Sequence, residues 1–391
     1  MLLRPPGAAF IALALAVSPA RAQHPPEPAG WRDFTSAFDA YLAQDRIVGG
    51  AVVFVRDGRI VARHEQGLAD RSPDVPVDSL TLFHYGSITK TLTAVAVLQL
   101  RDRGRLSLDD RVTTYLPELR QLHNAYGSMD DITVRMLLSH SAGFQDPTWP
   151  YTRGRPWEPF EPTRWEQLVS MMPYQEIHFH PGSRYGYSNP AFIYLARIIE
   201  QVTGDPYQAY IYKNLWTPLG MSRSYFGATP YHLAAHRSNN FTVVRDTTGE
   251  QVAANGREFD PGITIPNGGW NAPLTDLALW ARFLTGATGD DSVASRVLSR
   301  SSLEEMWRPV VPVGGDSRES MGLSFFVRTH HGRRLVGHTG WQAGFRAFLY
   351  LDPAARTAVI AVVNTSNEAR PEGSAAAWSG LIARALDLLA P

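Results

Sequence analysis

The sequence predicts an α+β fold, an α/β sandwich in which one antiparallel sheet is assembled from both ends of the chain, with flanking helices and an inserted, mostly helical subdomain. Three observations lead there. The stretch "GAVVFVRDGRIVARHEQG" (50–67) holds two β-rich runs around Asp57-Gly58, the pattern of a hairpin. The other β-rich stretches, "MGLSFFVRTHHGRRLVGH" (321–338) and "FRAFLYLDPAARTAVIAVVN" (345–364), lie at the far end, each broken by turn residues. Between them the patterns are helical or loop-rich, so the strands segregate to the termini instead of alternating with helices as in a parallel sheet.

Taken in order, residues 1–22 read as a secretory signal: Arg4, an apolar run from Ala8 to Val17, then Ala20-Arg21-Ala22 before Gln23. "QHPPEPAG" (23–30) reads as a Pro-rich leader. A helix is predicted from Trp31 to about Asp45, followed by the first part of the sheet over about 46–68. A helix begins near Ile88, and Leu92, Val95, Ala96, Val97, Leu98 and Leu100 make it apolar nearly all round, the mark of a buried helix. The helical region is expected over about 88–310, with Trp149, Trp157 and Trp165 either packing it or lining a cleft. The rest of the sheet falls over about 320–366 and a closing helix over 372–389. The 391 residues, 44% hydrophobic, suffice for a large core, and one domain is expected over 23–391.

Composition removes several function classes. Acidic and basic residues balance at 37 each, which gives no electrostatic case for nucleic acid or an anionic membrane as partner. Beyond the leader, no segment approaches the roughly 20 apolar residues of a membrane span. The absence of cysteine excludes a disulfide framework and a cysteine-linked lipid anchor. An exported protein is expected, in a periplasm or outside the cell, acting on a small molecule or peptide without a cofactor.

Chemistry enters at "FHYGSITKTLTA" (83–94). The chain has only two lysines, Lys90 and Lys213, the other 35 basic residues being arginine. A lysine amine can give up its proton and act as a base; a guanidinium cannot. Lys90 stands three residues after Ser87 where the buried helix begins, so the two side chains share a face. The helix N-terminus disfavours an ammonium and favours developing negative charge on Ser87 Oγ. A weak nucleophile beside a base in a desolvated site is what covalent acyl transfer needs. Further along, "SRYGYSNPAFIYLARIIE" (183–200) supplies Tyr187-Ser188-Asn189 before a helix, and "GHTGWQAGF" (337–345) supplies His338-Thr339-Gly340 between two predicted strands.

This set resembles the serine β-lactamase and penicillin-binding superfamily, whose motifs are S-x-x-K, [SY]-x-N and K-T-G. The tyrosine in the second motif points to the class C β-lactamase-like branch, which also holds D,D-carboxypeptidases, D-aminopeptidases and esterases. "MLLSHSAGF" (136–144), "NGGWNAPLTDLALWARFL" (267–284) and "GFRAFLYLDP" (344–353) strengthen the likeness, which covers roughly residues 33 to 385. It implies Ser87 as acyl-accepting nucleophile, Lys90 as its base and Tyr187 as proton shuttle. It further implies Asn189 against the substrate's acyl amide, and an oxyanion between the backbone N–H groups of Ser87 and Trp341. The substrate bond is then an ester, amide, β-lactam or D-amino-acid peptide. The alternative is a penicillin-binding or sensor module without turnover.

Two departures bear on substrate. His338 stands where many relatives carry lysine, and Trp341 where a small or hydroxyl residue is usual. Substrate binding is expected to involve Asn189, His338, Thr339, Gly340 and Trp341, with Arg346 as a possible replacement cation or a solvated side chain. A histidine at the reference pKa near ~6.5 would lose its charge between pH 6 and 8. Anionic substrates should then weaken over that range. Ser141 in "SHSAG" lacks the glycine and the strand-to-helix context of a nucleophile elbow. His178/His180, His232/His236 and His330/His331 lack a matching carboxylate cluster, and no metal is expected.

Overall fold

A computed structural model describes residues 26–144, 162–286, 292–314 and 318–391. The expected signal segment 1–22 and the tryptophans Trp149 and Trp157 lie outside these residues. Helix α1 (Trp31–Gln44) leads into a nine-stranded sheet. Its strands are β1 (Gly49–Arg56), β2 (Arg59–Arg71), β3 (Asp74–Pro76), β4 (Val311–Pro312), β5 (Glu319–Met321), β6 (Phe326–His330), β7 (Arg333–Gln342), β8 (Phe345–Asp352) and β9 (Thr357–Val363). In space they run β3-β2-β1-β9-β8-β7-β6-β5-β4, all antiparallel. The N-terminal and C-terminal strands therefore meet at the β1–β9 seam, as the segregation of β-rich runs predicts.

The central strands read as nearly continuous apolar runs because both of their faces are covered. Along β1 and β9, Ala51, Val53, Val55, Ala358, Ile360 and Val362 enter the larger core. The intervening Val52, Phe54, Val359, Ala361 and Val363 join Phe34, Phe38, Trp378 and Leu386 in a second core. That second core is formed by α1 and the closing helix α5 (Pro371–Leu389), which is the helix predicted over 372–389. The larger core lies under α2 (Thr89–Asp102), α3 (Pro190–Thr203) and α4 (Leu274–Thr285). Twelve consecutive residues of α2, Thr89 to Leu100, are buried, which accounts for its unbroken apolar pattern.

The inserted region is less purely helical than expected. It contains a hairpin, Asn240–Asp246 with Gly249–Gly256, completed in parallel by Thr365–Asn367, and a two-stranded pair, Leu82–His84 with Asn271–Pro273. The first was missed because residues 249–256 are largely exposed and lack the alternation that marks a half-buried strand. Among the described residues no helix is long and apolar enough to cross a membrane.

Candidate active site

Ser87 sits in a single 3-10 turn, Gly86–Ile88, that runs directly into α2. Gly86 has φ 49, a left-handed conformation that costs a residue with a Cβ and leaves glycine free. Lys90 follows one turn later, and its side chain is fully buried. Its Nζ lies 3.0 Å from Ser87 Oγ, 2.7 Å from Asn189 Oδ1 and 2.8 Å from the Asn267 carbonyl oxygen. Two of these partners are carbonyl oxygens, which can only accept. A neutral amine has two N–H groups and one lone pair, so at this distance the nitrogen can accept the Ser87 proton as well as donate to Oγ. As an ammonium, the same nitrogen donates its third proton to Oγ. The geometry fits proton exchange between Ser87 and Lys90 without either side chain moving.

Tyr187 and Asn189 arrive on the approach to α3, which starts with Pro190 at its first position, where a missing N–H costs nothing. The Tyr187 ring lies 4.9 Å from Lys90 Nζ, within cation–π range. Sequence reasoning missed its partner, His140. That imidazole stacks on Tyr187 at 4.5 Å and 22°, and its Nδ1 accepts the Ser188 backbone N–H at 3.0 Å. His140 occupies φ 54, and burial, then the Lys90 charge, push its pKa well below the ordinary value. It is a neutral platform that fixes the Tyr187-Ser188-Asn189 segment. No local signal marks it, since "SHSAG" shows nothing of a contact made across the fold.

The third segment is the outer end of β7. The β6–β7 and β7–β8 hairpins each close over two residues, with His330 paired to Arg333 and Gln342 to Phe345. Counting the alternation from both turns, the N–H and C=O groups of Thr339 and Trp341 point away from β8. Strand β6 reaches only as far as Gly337 on that side, so these groups face the Ser87 turn from an open edge. The approach is close. A Cβ on Gly340 would lie 1.9 Å from the Tyr85 carbonyl oxygen, and one on Gly86 would lie 2.7 Å from the Trp341 nitrogen. The Trp341 side chain is 58% exposed, and alternation turns it and Thr339 away from the face holding His338 and Gly340. Gly340→Ala is expected to push β7 off the turn, lower stability by about 1–3 kcal/mol or more and cut kcat. Full kcat with an unchanged melting temperature would contradict that packing.

His338 lies beside the reaction centre, but not as a titrating cation. It is 1% exposed, its Nδ1–H donates to the Thr339 carbonyl oxygen at 2.5 Å, and its ring stands 6.4 Å from Tyr187. Burial, then the Lys90 charge, lower its pKa to about 3. The expected loss of charge between pH 6 and 8 is therefore corrected: desolvation keeps the imidazole neutral across that whole range.

Arg346 is tied to the terminal helices. Its Nη1 donates to Ser374 Oγ of α5 at 2.9 Å, and its charge opposes the burial that raises the Tyr41 hydroxyl of α1 to about 12. It belongs to the face carrying the terminal helices, on the far side of the sheet from Ser87, and is half-buried there. Arg346→Met is expected to leave kcat/KM within about twofold of wild type and to lower stability by about 1 kcal/mol, the worth of one hydrogen bond. A tenfold loss of kcat/KM in a folded variant would restore Arg346 to the site.

Ser139 and Ser141 are buried and hydrogen-bonded to each other at 2.9 Å, so Ser141 is a packing residue. Asp387 of α5 supplies the carboxylate that the sequence did not place beside His330 and His331, and one ligand atom from each lies within 4.8 Å of the others. The two rings stack face to face at 4.2 Å and 21°. His330 bonds Asp387 at 2.8 Å and His331 Nδ1 donates to the Ala390 carbonyl at 2.9 Å. The trio clips the β6–β7 turn to α5.

A sheet covered by helices on both faces, with a serine and lysine at the head of a buried helix, a tyrosine beside them and an open strand edge opposite, defines the serine β-lactamase and penicillin-binding class. The family model described as Beta-lactamase matches residues 34–383, and the chain belongs to that family. It is 24% identical over 332 residues to Protein flp of Staphylococcus aureus, covering 85% of this chain and 62% of that one. It is 35% identical over 214 residues to Esterase EstB of Burkholderia gladioli, covering 50% of this chain and 53% of that one. The chain thus spans less than two thirds of the length of these curated relatives. Its fold matches the octameric penicillin-binding protein homologue from Pyrococcus abyssi with a TM-score of 0.72 at 22% identity, over 90% of this chain and 77% of that one.

Proposed function

We propose that the protein is an exported serine hydrolase that forms an acyl-enzyme at Ser87, with neutral esters or amides as its preferred substrates. The observation that carries this reading is the Lys90 nitrogen, buried 3.0 Å from Ser87 Oγ and anchored by the Asn189 and Asn267 carbonyl oxygens. Lys90 takes the Ser87 proton as Oγ attacks the substrate carbonyl carbon. The carbonyl oxygen becomes an oxyanion between the N–H groups of Ser87 and Trp341. Tyr187 delivers a proton to the departing alkoxide or amine as the bond to carbon breaks. Water then attacks the acyl-enzyme, giving up a proton to the same pair of groups, and Ser87 leaves with its proton restored. Asn189, whose Oδ1 accepts from Lys90, lies beside the nucleophile where the family resemblance sets it against a substrate's acyl amide. The esterase name of a relative 35% identical over part of the chain supports an ester substrate. Export rests on the composition of residues 1–22, and cleavage before Gln23 in the secreted protein would test it.

Substrate charge follows from His338 and Arg346. With a neutral imidazole at the motif's cation position and Arg346 across the sheet, neither of these two residues offers a substrate carboxylate a permanent positive charge. The test is turnover and adduct mass measured together on nitrophenyl esters, a cephalosporin and D-alanyl peptides, with His338→Lys alongside. Neutral esters are expected to turn over fastest, and the ratio of anionic to neutral kcat/KM should stay flat from pH 5 to 8. His338→Lys should raise that ratio roughly 10- to 100-fold, the value of a charge-assisted hydrogen bond. Adduct without turnover across the panel would replace the hydrolase with a binding module. A ratio that falls between pH 6 and 8 would show a charged His338.

A further inference from the structure

Three segments that shape the site meet at a buried side chain outside it. His84 ends the short strand that leads to Ser87, and it is 1% exposed. Its Nδ1 lies 2.9 Å from Oδ1 of Asn271, and its Nε2 lies 3.1 Å from the Gln342 carboxamide. Gln342 immediately follows Trp341, whose N–H faces the Ser87 turn. Asn271 belongs to the segment that begins at Asn267, whose carbonyl holds Lys90. The Gln342 carboxamide also lies against Gly268, where a Cβ would come within 2.5 Å of it. Phe259 meets the His84 ring edge-on at 4.7 Å, so the imidazole is fixed by packing as well as by polar contacts.

The ring is held by the Gly268 backbone as well as by the two amides. Asn271 Nδ2 donates to the Gly269 carbonyl oxygen at 3.1 Å, which turns Oδ1 toward the imidazole and places the proton on Nδ1. Burial, then the nearby Arg237 charge, lower the His84 pKa to about 4, so the ring is neutral at pH 7. The Gln342 carboxamide presents Oε1 at 3.1 Å from Nε2, and a half-turn of that group would exchange its oxygen and nitrogen.

We propose that His84 is a positioning residue for the oxyanion pocket, joining the Ser87 turn, the Trp341 edge and the Asn267 segment so that the two amide donors keep one separation. This rests on the reading of Ser87 as nucleophile. The interaction spans segments far apart in sequence, and each of them supplies a group at the reaction centre.

The experiment compares His84→Phe, which keeps an aromatic ring against Phe259 but removes the hydrogen bonds to both amides, with Gln342→Met, which removes one from the other end. For each, kcat and KM are measured on a neutral nitrophenyl ester, together with the affinity for an aryl boronic acid that forms a tetrahedral adduct on a nucleophilic serine. Both variants are expected to lose roughly 10- to 100-fold in kcat, the scale of a small misplacement of catalytic groups, with KM changed less than about threefold. Boronate affinity should fall by the same factor as kcat. The double variant should be no worse than the poorer single one, because the two changes break one linkage. Unchanged boronate affinity, a loss carried by KM, or additive losses would overturn the proposal. Should His84→Phe fail to fold, Gln342→Met decides alone by the same readouts. Failure of the wild-type protein to take up boronate at Ser87 would overturn the hydrolase reading instead, so the two are distinguishable.

Discussion

Ser87→Ala is expected to lower ester turnover by a factor on the order of 10⁴–10⁶, the scale seen when a covalent nucleophile is removed from a working triad. The loss should be this large because nothing nearby can substitute. Lys90 Nζ would keep its two carbonyl partners but face a methyl group. Ser141, the other serine that draws attention in the sequence, is 2% exposed and bonded to Ser139. The check is labelling with a fluorophosphonate followed by peptide mapping. The wild-type adduct should fall on the peptide containing Ser87, and the variant should take up no label while melting close to wild type. Label on Ser141, or turnover surviving in Ser87→Ala, would end the assignment.

Lys90→Arg should be nearly as damaging as Lys90→Met, at roughly 10²–10⁴ in kcat, although it keeps the charge. The physical reason has two parts. A guanidinium has no lone pair to accept the Ser87 proton at any working pH. It is also planar and larger, in a site that gives Lys90 no exposed surface and places the Tyr187 and Phe192 rings 4.9 and 5.5 Å from its nitrogen. The rate of fluorophosphonate acylation separates the roles, since it reports activation of Ser87 before any leaving group departs. Acylation and turnover should fall together. An arginine variant that kept more than about a tenth of wild-type turnover would make Lys90 an electrostatic or structural residue, not a base.

Much of the fold was legible because it rests on short-range regularities. The Asp57-Gly58 turn, the apolar run of α2 and the β-rich stretches at both ends are local patterns, and the strands and helices fall where they predict. The S-x-x-K spacing belongs to the same class: three residues on a helix bring Ser87 and Lys90 onto one face, and they lie 3.0 Å apart. What was not legible depends on which distant segment covers which face. Alternation along β8 says that Arg346 faces opposite to its neighbours, but only the packing of α1 and α5 makes that the face away from Ser87. Composition names a histidine at 338, but its charge is set by burial against Lys90, a quantity no window of sequence contains. The links from His140 to Tyr187, from His84 to Gln342 and from Asp387 to His330 join segments brought together only by the completed sheet. The sequence by itself determined the elements, the nucleophile–base spacing and the likeness to a family. The tertiary structure alone decided the faces, the charges and the contacts between segments, because desolvation and long-range approach arise from packing and leave no local periodicity to read.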